Sequence, residues 1–420
     1  MDRPVVSLTF PQGALEAAAK LFALKDPLCP ECMGRFFGRL GHGLSNEDRL
    51  LSVAETLGQA PPTNGPSSAC VICHGSFARI PQWVERSLSE ASAYEWNSFL
   101  CGSRWDPADL ATEEALWASV GTSWGESLRT AFNRELGKAI SKATGKEGLQ
   151  KRTDILFLAD IPVGTVEMTV FSIYIKGRYR KYDRMIPQTR WPCRACRGRG
   201  CNKCGGTGKT YPTSVEELVA GPLNEMAGGT GHKFHGMGRE DIDARMLGRG
   251  RPFIAEVLSP KRRTIDLKAA QSEINGSAKD RVEVDGLAFS VADEVQQIKD
   301  ARHDKSYRVV VAGDVSEQKI KEVMPLLAGC ELSQRTPTRV AHRRGDLVRH
   351  RKVKEVRLVG MEGNTFTIEV RAQAGTYVKE FVDGDGGRTS PSLSGTLAQP
   401  LHVVSLDVLE IHDDEGEGTW

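Results

Sequence analysis

Apolar residues recur at helical spacing near the start of the chain and at alternate positions further on, so helix and sheet are predicted in separate runs. From Gly13 to Leu24 the stretch is alanine-rich, with Leu15, Ala18, Ala19 and Phe22 on one helical stripe. Ile155 to Leu158 form a short apolar run, Val166, Met168 and Val170 alternate after it, and Ile173 and Ile175 continue the pattern. That is the period of a strand with two distinct faces. Ser214 and Glu217 have capping-box spacing, which predicts a helix starting there. Tyr307 to Val311 predicts another strand. Val356 and Leu358 lead through Glu362-Gly363-Asn364 to Phe366, Ile368 and Val370, the signature of a hairpin. Pro61 to Ser68, with Asn64 and Gly65, predicts a surface loop. Apart from a short duplication between Cys193 and Gly208 there is no internal period, which excludes a solenoid.

A chain of 420 residues is long enough for two or three domains, each with its own core. No run reaches the eighteen or so apolar residues that would cross a bilayer, and the first ten residues lack a signal-peptide pattern, so a cytoplasmic protein with no membrane association is expected. Lys plus Arg (56) nearly cancels Asp plus Glu (54), so the total charge does not identify a partner. Distribution does. From Arg335 to Lys354 the chain carries Arg335, Arg339, Arg343, Arg344, Arg349, Arg351, Lys352 and Lys354, opposed only by Asp346. Such a run suits phosphate binding with counterion release. A second basic stretch holds Lys176, Arg178, Arg180, Lys181 and Arg184.

Eight of the ten cysteines form Cys-x-x-Cys pairs, which in a cytoplasmic chain points to metal rather than disulfides. Cys29, Cys32, Cys70 and Cys73 could close a tetrahedral site of four thiolates, a structural zinc with no open coordination position. Cys193, Cys196, Cys201 and Cys204 lie in two contiguous copies of Cys-x-x-Cys-x-Gly-x-Gly, and whether they hold metal is left open by the sequence. These copies resemble the zinc repeats of the Hsp40 cochaperones. The chain nevertheless lacks a His-Pro-Asp hairpin signature and a Gly/Phe-rich segment, and Arg194, Arg197, Arg199 and Lys203 better fit a finger that meets RNA.

The candidate reactive group is in Gly238-Arg239-Glu240-Asp241. A carboxylate next to cations can attack carbon and form a covalent intermediate, although an isolated tetrapeptide of this kind more often lies on a solvated surface. Its context carries more weight. Gly177-Arg178-Tyr179-Arg180-Lys181-Tyr182, Pro187-Gln188-Thr189-Arg190-Trp191, the double knuckle, Phe234-His235-Gly236, the run from Gly238 to Gly248, Gly250-Arg251-Pro252-Phe253, Tyr377-Val378-Lys379-Glu380-Phe381 and Gly387-Arg388-Thr389 together resemble the tenth (Pus-ten) family of tRNA pseudouridine synthases, archaeal branch.

That resemblance implies an α+β chain. A zinc-containing accessory domain (residues 1–190) with a THUMP-type RNA-binding unit near 75–185 would precede a catalytic domain (191–420), a mixed, mainly antiparallel sheet opening with the basic knuckle at 193–208. It implies isomerisation of uridine to pseudouridine in the T arm of tRNA, at position 55 and often 54, with structural zinc and no organic cofactor or catalytic metal. Asp241 would be the nucleophile, with Asp243 as the competing carboxylate and Arg239 pairing with Asp241 or with a phosphate. Tyr307 would lie against the extracted base, Tyr377 would be a second contact, and Leu406 would pack beneath the uracil. Lys379, two residues beyond Tyr377 and so expected on the same face of a strand, would stay near the carboxylate. Arg335, Arg339, Arg343 and Arg344 would face nucleic acid. The expected partner is tRNA, and the protein would act as a monomer without an obligatory protein partner. A noncatalytic zinc RNA-binding protein is the competing reading.

Overall fold

The computed structural model describes residues 10–62, 67–121, 123–343 and 345–413, without the side chain of Arg343. The chain divides into two compact units, Met1–Phe171 and Ser172–Trp420.

In the first unit the alanine-rich stretch forms α1 (Gln12–Phe22). Its buried stripe is Ala14, Ala17, Ala18 and Leu21, so the face is rotated from the predicted one and Ala19 is exposed. Small side chains on that face let α1 lie close to its neighbours. The helix α2 (Pro30–Gly34) starts at Cys29, whose sulfur accepts the Cys32 N–H at 3.4 Å. It packs on α3 (Asn46–Leu57), capped by Ser45. A Cβ at Gly34 would stand 1.7 Å from the Asn46 carbonyl oxygen, so this crossing requires glycine. Next come α4 (Ile80–Glu90), β1 (Ser98–Arg104), α5 (Pro107–Val120), α6 (Leu128–Thr144), β2 (Glu147–Gly148), β3 (Ile155–Asp160) and β4 (Thr165–Val170). The sheet order is β2-β1-β3-β4, with β1 parallel to β2 and β3, and β4 antiparallel. Phe132 on α6 meets the edges of Phe77, Trp83 and Trp105 at centroid distances of 5.8, 6.3 and 5.3 Å. This gives the helical layer an aromatic centre. Of the predicted loop at 61–68, residues 63–66 lie outside the described residues, and Ser67–Ala69 form a short helical turn.

The second unit begins with β5 (Ile173–Lys181) and continues through α7 (Val215–Ala227), β6 (Gly231–Gly236), β7 (Arg245–Leu258), α8 (Leu267–Ser277), β8 (Val282–Ser290), α9 (Ala292–Asp300), β9 (Lys305–Ala312) and α10 (Glu317–Leu327). It closes with β10 (Glu331–Arg335), β11 (Val348–Glu362), β12 (Thr365–Ala372), α11 (Val378–Asp383), β13 (Thr389–Ser390), α12 (Leu393–Leu397) and β14 (His402–Ile411). Among the described residues the sheet runs β13-β10-β11-β12-β9-β14-β7-β5-β8, with β6 also on β7. Its pairs are antiparallel except β14 with β7, which meet in parallel through Asp407–Arg245 and Val408–Met246. The mixed, mainly antiparallel sheet with helices against it is therefore present. So are the hairpin (β11–β12) and the Ser214-capped helix, in which Ser214 Oγ accepts the Glu217 N–H at 3.2 Å.

One expectation changes. The boundary lies between Phe171 and Ser172 rather than after residue 190, because β5 hydrogen-bonds to β7 and β8 and so belongs to the large sheet. The cations of the basic stretch at 176–184 are paired or buried. Lys176 pairs with Glu294 at 3.0 Å, Arg178 with the buried Asp413 at 2.6 Å, Arg180 with Glu283 at 3.0 Å and Arg184 with Asp407 at 2.6 Å, while Lys181 is fully buried.

Candidate active site

Asp241 sits on the turn between β6 and β7, and buried polar side chains beneath that turn fix its path. Lys181 alternates in phase with the buried Ile173, Ile175 and Tyr179 along β5, which carries its amine into the core. There Nζ donates to the carbonyls of Ile186 (2.9 Å), Ile242 (2.8 Å) and Asp241 (3.4 Å). Burial lowers the Lys181 pKa, and the Glu240 charge opposes that fall. Next to it, the Tyr179 hydroxyl donates to the Glu240 carboxylate, 3.0 and 2.9 Å from its two oxygens, and accepts from Gln188 Nε2 at 2.8 Å. Gln188 also holds the Gly238 carbonyl (3.0 Å). Arg251 Nε lies 2.9 Å from Glu240 Oε2, and its Nη1 donates to the Met237 carbonyl at 2.6 Å. Removing either partner of this buried ion pair would leave the other charge uncompensated, which is costly. The consequence is a rigid perch for Asp241.

Above that perch the Asp241 carboxylate is one-third exposed, with Arg339 Nη1 3.1 Å from Oδ1 and Lys379 Nζ 3.6 Å from Oδ2. Arg339 is held from behind by the buried Glu380, with Nε 2.6 Å from Oε1. Lys379 also pairs with Asp243 (2.8 Å), whose side chain is far more exposed, at 62% against 33%. Burial raises the Asp243 pKa, but the hydrogen bonds and charge of Lys379 outweigh it, so the net shift is downward. A cavity of about 280 Å³ opens beside Asp241. Its wall carries Tyr307, Leu406, Val408, Tyr377, Arg251 and Lys305. Burial, with a smaller contribution from the Asp241 charge, pushes the Tyr307 phenol up to about 12 against the opposing pull of Arg251, so it faces the cavity as a neutral ring.

Asp241, Arg239, Lys379, Tyr307, Tyr377 and Leu406, all singled out from the sequence, thus line one cavity. Tyr377 and Lys379 are not on a strand. Tyr377 caps the start of α11 and Lys379 lies in its first turn, because the buried Gln334 grips the Tyr377 main chain through Tyr377 N–H to Oε1 (2.9 Å) and Nε2 to the carbonyl (3.0 Å). Arg339, expected to face nucleic acid, instead faces Asp241 and Glu380. Arg335 is exposed and paired with Asp346, which also takes Arg388. The expected contacts of Arg344 and of the Arg343 side chain fall outside the described residues.

A model of the Pus10 C-terminal region matches residues 174–412, more than half of the chain, and so spans the whole cavity. The chain belongs to the Pus10 family. A model of the archaeal Pus10 THUMP domain matches residues 83–160 of the first unit. The tRNA pseudouridine synthase Pus10 of Methanothrix thermoacetophila is 39% identical over 427 residues, covering 94% of each chain. Those of Methanopyrus kandleri (37%, covering 93% of this chain and 96% of the relative) and Thermoplasma acidophilum (40%, covering 91% and 96%) align similarly.

In this Pus10-family chain the residues that sequence reasoning left without a role are the buried ones: Tyr179, Lys181, Gln188, Glu240, Arg251, Gln334 and Glu380. A usable signal existed for Lys181, a lysine in phase with the apolar face of β5. The cysteines form two tetrads in which the four sulfurs of each set lie within 4.8 Å of one another. Four thiolates about 2.3 Å from one tetrahedral zinc would stand roughly 3.8 Å apart. Cys29–Cys73 at 3.5 Å, Cys201–Cys204 at 3.7 Å and Cys196–Cys204 at 3.9 Å fit that spacing. Backbone N–H groups of Gly200, Cys201 and Gly208 point at the sulfurs of the second set at 3.2 Å. Gly200 (φ 89°) and Gly208 (φ 68°) are needed where the two copies interlock, because a Cβ at either would meet a carbonyl oxygen of the other copy at 2.6 or 2.3 Å. Both tetrads can take a tetrahedral cation.

Proposed function

We propose that this chain is a tRNA pseudouridine synthase that isomerises uridine in the T arm, at position 55 and also 54, with Asp241 as the nucleophile. Its carrying observation is a carboxylate with a cation at each oxygen, opening on a cavity walled by an aromatic ring and aliphatic side chains, in a chain of the Pus10 family. The reaction breaks the bond between C1′ and N1, turns the uracil, and joins C5 to C1′. N1 gains a proton and C5 loses one, so nothing is oxidised or reduced and no organic cofactor is called for. A carboxylate that forms a transient bond to the nucleotide suffices for such a step.

A uridine in a folded loop must first be extracted from its stack, and a pocket for the flipped base is the means. Tyr307 offers a neutral aromatic face to the base, Leu406 and Val408 offer apolar surface next to it, and Tyr377 supplies a second contact. Arg339 and Lys379 aim the Asp241 carboxylate, and Arg239 would pair with Asp241 or with the adjoining phosphate. Asp243 acts through Lys379 rather than on the substrate. Arg335, Arg343 and Arg344 belong to the basic segment that meets the tRNA. Zinc in the tetrads would cross-link the chain with no coordination position left open, a structural role. The THUMP unit would grip the rest of the tRNA, and the enzyme would work in the cytoplasm as a monomer.

The test is to incubate an unmodified tRNA transcript with the wild-type chain and map pseudouridine along it. Product at 55, or at 54 and 55, is expected. A transcript that is bound yet unchanged would favour the noncatalytic zinc RNA-binding reading and defeat the proposal.

A further inference from the structure

Lys305 lines the cavity without a carboxylate partner. Arg251, Arg339 and Lys379, which share the cavity wall with it, are paired respectively with Glu240, with Asp241 and Glu380, and with Asp241 and Asp243. Among the described residues no carboxylate lies within ion-pair distance of Lys305 Nζ, which donates to the His303 carbonyl at 3.1 Å. The two acids whose charge reaches it are committed elsewhere. Asp304 pairs with Lys354 and Arg371, and Asp413 with Arg178 at 2.6 Å and Arg249 at 3.2 Å.

The strand puts it there. On β9, Lys305 is in phase with the buried Tyr307, Val309 and Val311, so its side chain leaves the sheet on the same face as the Tyr307 ring. Opposite it in register, Ala372 on β12 and Ile411 on β14 are apolar and fully buried. An ammonium has three N–H donors and no acceptor. One is spent on His303, which leaves two for whatever enters the cavity. Keeping a charge in such surroundings is costly, and burial with Arg251 nearby lowers the Lys305 pKa to about 8. A cation held at that cost in a cavity wall is a candidate for function.

Uracil offers what a pure donor needs. Its carbonyl oxygens O2 and O4 stand symmetrically about the line from N3 to C6, as N1 and C5 do. Turning the ring about that line brings C5 to the place of N1 and, with it, O4 to the place of O2. A group that can only donate therefore meets a carbonyl oxygen both before and after the turn. Cytosine carries an amino group at one of these two places, where it would confront the ammonium donor to donor. We infer that Lys305 reads the flipped base, its Nζ donating to one carbonyl oxygen of uracil before the ring turns and to the other afterwards. This rests on the proposed function for the reaction. A site built to hydrogen-bond a substrate group rejects the analogue that lacks it, so Lys305 selects uracil as well as holding it.

The experiment compares single-turnover pseudouridine formation at saturating tRNA by wild type and Lys305→Met, on transcripts with uridine, 2-thiouridine or 4-thiouridine at the modified position. Sulfur accepts hydrogen bonds poorly, so the thio-substitutions weaken the same contact from the side of the substrate. On uridine, Lys305→Met should be slower by roughly ten- to a hundredfold, the loss of one charge-assisted hydrogen bond, with tRNA affinity retained and a denaturant midpoint no lower than that of wild type. At least one thio-substitution should slow wild type by a similar factor and slow Lys305→Met by less than about threefold more, because the contact is already gone. A wild-type rate for Lys305→Met would overturn the inference. So would equal thio effects in the two proteins, including none in either, since the carbonyls would then be held by other groups. Absence of pseudouridine from the wild-type reaction would overturn the proposed function and this assignment with it.

Discussion

Asp241 and Asp243 are two residues apart and share Lys379, yet their surroundings separate them. Asp241 has a second cation in Arg339 and opens on the cavity, whereas Asp243 points to solvent with Lys379 as its ion-pair partner. Replacing Lys379 with Met should slow pseudouridine formation on the order of a hundredfold, as loss of one preorganised charge contact does in other sites. Single-turnover rates at saturating tRNA would check this. Lys305 makes a different prediction. Burial, aided by Arg251 and opposed by Asp304, lowers its pKa from 10.5 to about 8. Below pH 8 the folded protein holds a buried ammonium at a cost. From there to about 10.5 the unfolded chain binds more protons, so this group makes stability rise with pH. Lys305→Met should stabilise the second unit near pH 7 by up to about 3 kcal/mol and remove that rise, as denaturant titrations at pH 7 and pH 10 would read. Asp241 and Tyr307 were named through the family resemblance, and the structure brings both to one cavity. Arg339 was assigned by its charge to the phosphate backbone, since nothing in a one-dimensional run says that Glu380 and Asp241 will meet it across the fold.

At the scale of elements, the sequence was read well where periodicity is strong, as in β3, β4, β9 and the β11–β12 hairpin. It was misread at 377–379, because the six-residue α11 has too few positions to separate a period of 2 from one of 3.6, and the Gln334 grip that starts it is a long-range contact. No element was picked out from the sequence between Pro81 and Leu149, and yet this stretch forms most of α4, β1, α5 and α6, whose aromatic core comes from residues far apart in sequence. The two cysteine pairs of the first unit lie on separate elements, and their four sulfurs converge in the core. Structural zinc contributes on the order of 10 kcal/mol to folding in small metal domains. Cys70→Ser, or prolonged chelation, should therefore unfold the first unit around α2 and α3, with loss of one zinc per chain. Thermal melts followed by circular dichroism, with metal analysis of the same samples, would detect it.

For the whole molecule, the fold class was legible and the boundary was not. Lys176, Arg178, Arg180 and Arg184 of the basic stretch pair with Glu294, Asp413, Glu283 and Asp407, which lie from about 100 to more than 200 residues further along the chain. Those pairings join β5 to the catalytic sheet and put the division at Phe171–Ser172. The sheet in turn brings β9, the segment carrying Arg339, α11 and β14 to the β6–β7 turn, so a single carboxylate meets groups from four distant segments. Asp241 as the attacking group is the central claim, and Asp241→Asn against Asp243→Asn tests it most directly. Single-turnover pseudouridine formation at saturating tRNA should vanish in Asp241→Asn, with tRNA affinity retained, and stay within about tenfold of wild type in Asp243→Asn. A normal rate in Asp241→Asn, or abolition by Asp243→Asn alone, would contradict it.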